Sequence, residues 1–197
     1  VIISTKCGNE YINGGYVKDG DPKKILRECE ESLRNLRTDY IDLYLVHWPD
    51  PNTPFEETME ALNRLKKEGK ILHVGVSNFS REQMEEAGRI CPIEAFQPHY
   101  SMVNRTNEEL MRWASEQGMG IMTYGSLGGG ILTGQFREVP TFGHGDMRAS
   151  FYGPMFTEPG FSQIQTLLKV MDGIAETHKA TVAQVAINWA LAHDYMH

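Results

Sequence analysis

Five short apolar runs, each followed by a segment with helical periodicity, constrain this chain more than any other feature. They are Val1-Ile2-Ile3-Ser4-Thr5-Lys6, Tyr40 to Val46, Ile71 to Val76, Ile93 to Gln97 and Met119 to Tyr124. Short runs rich in β-branched residues suit strands covered on both faces, and strands joined through helices pair in parallel. The fold class that follows is parallel α/β. Two arrangements satisfy it: an open doubly wound sheet, and part of an eight-stranded barrel. Both collect functional side chains at the carboxyl ends of their strands.

The intervening segments carry helix signals. Asp21-Pro22 puts a capping carboxylate before a proline suited to a first turn, and Ile25, Leu26, Cys29, Leu33 and Leu36 make one apolar stripe. Phe55, Met59, Leu62 and Leu65 mark a helix that Gly69 ends. Ser80 with Gln83, Thr106 with Glu109 and Thr181 with Gln184 match capping boxes; the first of these helices carries Met84, Ala87 and Ile90. Another helix runs from Phe161 through His178. Cys7 to Gly20 reads as a loop. Residues 137–160, rich in Gly, Pro and Phe, have no period, so this stretch is functional, disordered or locally folded. The whole chain, 1–197, reads as one domain with 137–160 as an irregular insertion.

Composition excludes several functions. A net charge of -7, from 26 acidic and 19 basic residues with no basic cluster among aromatics, argues against a nucleic-acid surface. No apolar run approaches membrane-spanning length, and the N-terminus lacks the basic and apolar regions of a secretory signal. Cys7, Cys29 and Cys91 are scattered without ligand spacing, which fits a reducing compartment; the expected location is cytoplasmic. His47, His73 and His99 come from separate strand regions with no zinc-like spacing, so no metal site is expected.

Polar residues stand where the apolar runs stop: Lys6, His47, Ser77 with Asn78, Gln97, and Tyr124 followed by Gly125-Ser126-Leu127-Gly128-Gly129-Gly130. Each has a plain structural use, as a solvated cation, a turn residue or core. Together they suggest one convergent polar site. The glycine run permits close backbone approach and offers N–H groups to an anion. It lacks the Lys and Ser/Thr of a P-loop and the spacing of a dinucleotide fingerprint.

On these residues the chain resembles the aldo-keto reductase family. The matching segments are Ser4-Thr5-Lys6, Asp42 through Pro49, Gly69-Lys70-Ile71 leading into Gly75-Val76-Ser77-Asn78-Phe79, Gln97 through Ser101, and Tyr124 with Leu127 through Gly134. The resemblance implies a (β/α)8 TIM-barrel fold and reduction of an aldehyde or ketone with NADPH, less often NADH. It makes Lys6 and His47 catalytic. Ser77, Asn78 and Gln97 would bind the nicotinamide carboxamide, and Tyr124 would stack on the ring. Gly125, Ser126, Leu127, Gly128 and Gly130 would follow the pyrophosphate, and Trp48 would line the substrate pocket. Gly125 stands at a position often held by Ser.

The resemblance also has gaps. The chain starts at the counterpart of the third barrel strand and stops after the seventh helix, so the expected form is an incomplete barrel of about five β/α units. The family's catalytic Tyr and Asp have no counterpart, and Tyr11, Tyr16, Tyr40 and Tyr44 match neither by motif. Self-association, or segments outside these residues, would then complete the barrel. The alternative function is a nonenzymatic regulatory or interaction protein built on a truncated reductase scaffold.

Overall fold

All five apolar runs become strands of one parallel sheet in the computed structural model, which describes residues 1–12 and 14–196. The strands are β1 (Ser4–Cys7), β4 (Ile41–Val46), β5 (Ile71–Ser77), β6 (Ala95–Gln97) and β7 (Gly120–Ile121), in the order β1-β4-β5-β6-β7. Register follows the chain: Lys6 pairs with Leu45, Val46 with Val76 and Ser77 with Gln97. Ile41, Tyr44, Leu45 and Val46 are buried along β4, which is paired on both sides. Full burial of one such aliphatic side chain contributes about 1.5–3 kcal/mol. Asp42, the polar break in that run, accepts the Ile3 amide at 2.8 Å.

By its internal contacts the chain divides into two compact units. The first holds Val1–Pro98 and Leu110–Met122, and the second His99–Glu109 and Thr123–His197. In the first, α1 (Pro22–Leu36), α2 (Phe55–Lys67) and α3 (Arg81–Gly88) connect the strands. Asp21 caps α1 by accepting the Lys23 amide at 2.8 Å, and α3 starts in the capping box of Ser80 and Gln83. That helix ends at Gly88, so Ile90 lies beyond it. Helix α4 is Glu108–Glu116, two residues later than the sequence signal. Asn104 Oδ1 accepts both the amide and the hydroxyl of Thr106, so Thr106 belongs to an Asx-type turn and not to a helix cap.

The stretch expected as a loop from Cys7 to Gly20 holds a hairpin instead, β2 (Asn9–Ile12) paired antiparallel with β3 (Gly15–Lys18). The signal for it was Asn13-Gly14, a favoured hairpin turn; Asn13 itself lies outside the described residues, and Gly14 takes φ +85°. Tyr11 and Tyr16 face each other across the hairpin with ring centroids 5.1 Å apart, and both are exposed. A lone hairpin is marginal in water. Here the buried Lys24 of α1 reaches Glu10, Asp19 at 3.5 Å and Glu28 at 3.7 Å. Burial alone would lower the Lys24 pKa; the three carboxylates more than offset that and raise it.

The second unit contains a 3₁₀ segment (Gly128–Thr133), α5 (Gly153–Phe156), α6 (Gly160–His178) and α7 (Val182–Leu191). Ile131, Leu132, Phe161, Leu168, Met171 and Ala186 are buried in its core. The aperiodic stretch is locally folded. Phe142 and Phe156 meet edge to face at 4.9 Å, and Arg148, paired with Asp146, lies over Phe142 at 4.6 Å. Such edge-to-face pairs stabilise by about 0.5–1.5 kcal/mol beyond their area. The buried Tyr100 hydroxyl meets His193 Nε2 at 3.2 Å and Tyr195 at 3.1 Å, which ties residues 99–109 to the end of the chain.

Candidate active site

Parallel register brings five of the expected site residues to one edge of the sheet within the first unit. Lys6 is the penultimate residue of β1, and His47 follows β4, donating its amide to Cys7 O at 2.9 Å. Ser77 and Gln97 end β5 and β6. Asn78 turns the chain with φ +61°, a conformation asparagine tolerates better than most residues. Its Nδ2 donates to His47 O and to Ser77 Oγ, each at 3.0 Å, while Ser77 Oγ donates to Gln97 O at 2.7 Å. This lateral chain fixes the strand ends against one another.

The Gln97 side chain stands apart from that chain. It is buried, and its Oε1 has no hydrogen-bond partner among the described residues. Leaving a buried acceptor unsatisfied costs about 1–3 kcal/mol.

Charge at the edge is unevenly placed. Burial lowers the Lys6 pKa. The His47 pKa is lowered by burial first and by the Lys6 charge second, so the imidazole is neutral near neutral pH. Trp48 follows directly, with the Lys18 ammonium 4.6 Å from its ring centroid.

The second unit holds Tyr124 and the glycine loop. The Tyr124 ring stacks on His99 at 5.0 Å and 15°, and its pKa is raised by burial and then by Tyr152. Asn104 Nδ2 donates to His99 Nδ1 at 2.8 Å, which assigns the proton of the neutral ring to Nε2. Gly125 has φ +69°, and a Cβ there would lie 2.6 Å from His99 Nε2; a Cβ on Gly129 would lie 2.8 Å from Tyr152. These glycines are required both by backbone conformation and by the rings packed on them. Ser126 shares its hydroxyl with Thr123 at 3.1 Å. The loop lines a cleft of ≈ 530 Å³ together with Tyr152, Ile187 and Leu191.

The sequence profile of the Aldo/keto reductase family matches residues 1–196. The chain belongs to the aldo/keto reductase family. It is 38% identical over 193 residues to the aldo-keto reductase YhdN of Bacillus subtilis, covering 97% of this chain and 58% of that protein. It is 30% identical over 198 residues to the aldo-keto reductase yakc [NADP(+)] of Schizosaccharomyces pombe, covering 98% and 58%. The structure of the glycerol dehydrogenase AKR11B4 from Gluconobacter oxydans superposes with a TM-score of 0.91 at 33% identity, over 99% of this chain and 61% of that one. The chain thus spans a little more than half the length of these relatives. Its five parallel strands are those of the family's (β/α)8 fold.

The sequence pattern does not single out Lys18 beside Trp48 or Asn104 beside His99. His99 lies two residues after Gln97 and was open to notice. Lys18 and Tyr152 sit in stretches without a usable period, and only folding brings them to Trp48 and Gly129.

Proposed function

We propose that the protein reduces an aldehyde or ketone to an alcohol with NADPH as hydride donor, NADH being the lesser alternative. The observation that carries this reading is the buried, partnerless Gln97 Oε1 on the same strand-end edge as Lys6 and a neutral His47. By the family resemblance, Gln97 Oε1 would accept from the carboxamide, Ser77 and Asn78 would complete that contact, and Tyr124 would give the ring its platform. Gly125 to Gly130, with Ser126 and Leu127, would hold the phosphates through backbone donors. When bound, the nicotinamide supplies hydride. His47 orients the substrate carbonyl by donating a hydrogen bond, which a ring held neutral by burial can do without losing a proton. Lys6 stabilises negative charge growing on the carbonyl oxygen and favours ionisation of a phenolic proton donor. That donor is assigned to none of Tyr11, Tyr16, Tyr40 or Tyr44. Tyr44 is fully buried, with its pKa raised by burial, and Tyr11 and Tyr16 are exposed on the hairpin.

The substrate is a small carbonyl compound, with Trp48 against it. The setting we propose is the cytoplasm, supported by three buried free thiols. Among the described residues no helix is long and apolar enough to cross a membrane.

NADPH titration of the intact protein, followed by fluorescence, together with NADPH oxidation in the presence of 4-nitrobenzaldehyde, tests the reading. Binding and turnover are expected. Gln97→Leu should weaken NADPH binding about tenfold while leaving the melting temperature unchanged or higher, because it removes a buried unsatisfied acceptor. A protein that neither binds NADPH nor reduces any of a panel of aldehydes would sink the proposal.

A further inference from the structure

Lys18 lies at the end of β3, with its ammonium 4.6 Å from the centre of the Trp48 ring. The indole face holds this charge in place without neutralising it. Glu86 lines the same cleft as Lys18 without an ion pair to it, and four other carboxylates of nearby segments have different partners. Glu10, Asp19 and Glu28 converge on Lys24. Asp50 accepts the amides of Gly20 and Asn52 and the hydroxyl of Thr53. Among the described residues no carboxylate oxygen lies within 4.0 Å of the Lys18 or the Lys6 ammonium. The exposed side chain of Lys18 therefore keeps donors available beside the residue that follows His47.

We propose that Lys18 is a specificity-determining residue that selects carbonyl substrates carrying an anionic group, a carboxylate or a phosphate, over neutral ones. The inference rests on the reductase reading of Lys6, His47 and Trp48. In that reading Lys6 serves the reacting oxygen, which leaves Lys18 for a charge elsewhere on the substrate. A cation at this place acts on the ground state and the transition state alike, so its effect falls on KM more than on kcat. Being exposed, it is also screened by salt.

The test compares 4-carboxybenzaldehyde and 4-formylphenyl phosphate with 4-nitrobenzaldehyde, using the intact protein, Lys18→Met and Lys18→Arg. Met retains an apolar stem against the indole without the charge; Arg retains the charge. In Lys18→Met the ratio of kcat/KM for the anionic aldehydes to that for the neutral one should fall about tenfold, carried by KM, and Lys18→Arg should restore most of it. Added sodium chloride should lower the ratio in the parent protein and leave it unchanged in Lys18→Met. A response of only one anionic aldehyde identifies carboxylate or phosphate as the preferred group and supports the assignment. An equal ratio in parent and Lys18→Met overturns it, because a purely structural Lys18 would change all three aldehydes together. Absence of turnover in the parent protein overturns the reductase reading and this inference with it.

Discussion

At the residue scale, Asn78 and Gln97 stand out along the strand-end edge, one by conformation and the other by hydrogen bonding. Asn78 holds a left-handed conformation and bonds both His47 O and Ser77 Oγ, so it positions two neighbours at once. Gln97 Oε1 is a buried acceptor with no partner among the described residues. Gly125 shows how the chain departs from the family pattern: the space for a side chain is taken by His99. Gly125→Ser should therefore destabilise the protein by about 1–3 kcal/mol, read from the urea midpoint, since it adds left-handed strain to a steric clash. His99→Ala in the same chain should relieve the steric part, giving a favourable coupling in a double-mutant cycle. Strictly additive effects would show that His99 does not enforce the glycine. Lys6, His47, Ser77 and Gln97 were legible as candidates because each ends an apolar run. The missing hydrogen-bond partner of Gln97 was not, because burial and partners are properties of the folded chain.

At the element scale, legibility followed the strength of local signals. The caps of α1, α3 and α7 were readable because each is made by side chains within three residues of the helix. The start of α4 was misread because Asn104 competes for Thr106, and both outcomes satisfy the same local chemistry. The β2–β3 hairpin is poorly legible in the sequence because its alternation is short and its strands are only four residues each. Its anchor is nonlocal: buried Lys24 draws in Glu10 and Asp19 from the two sides of the hairpin. Lys24→Met should loosen it. Hydrogen exchange of amides in Glu10–Val17 is expected to accelerate about tenfold, with β4 and β5 amides much less affected. Equal acceleration throughout the sheet would mean that Lys24 supports the whole unit and not the hairpin. This element carries Lys18 at its end, so its order bears on the site as well as on stability.

For the whole molecule, pH links site and stability. Burial depresses the pKa of both His47 and His99, with Lys6 adding to the effect on His47. A depressed histidine binds its proton more readily in the unfolded chain. Stability should therefore decline as pH falls from about 6.5, the ordinary histidine value, toward the lowered folded values. Glu28, raised mainly by burial, acts in the opposite sense as its carboxyl protonates. Melting temperatures between about pH 7 and 5 should fall in the parent protein and fall less in a His47→Asn, His99→Asn double variant. A parallel decline in both would assign the pH dependence to other groups. By itself the sequence determined the parallel β/α order and the strand-end placement of Lys6, His47, Ser77 and Gln97, because periodicity and strand endings are local properties of the chain; the family followed from the resemblance of its motifs, taken in order. Only the tertiary structure decided which polar atoms are left without partners, that His99 fills the space above Gly125, and that Lys18 stands on Trp48. Those facts depend on residues distant in sequence meeting at fixed distances, and no local pattern encodes such a meeting.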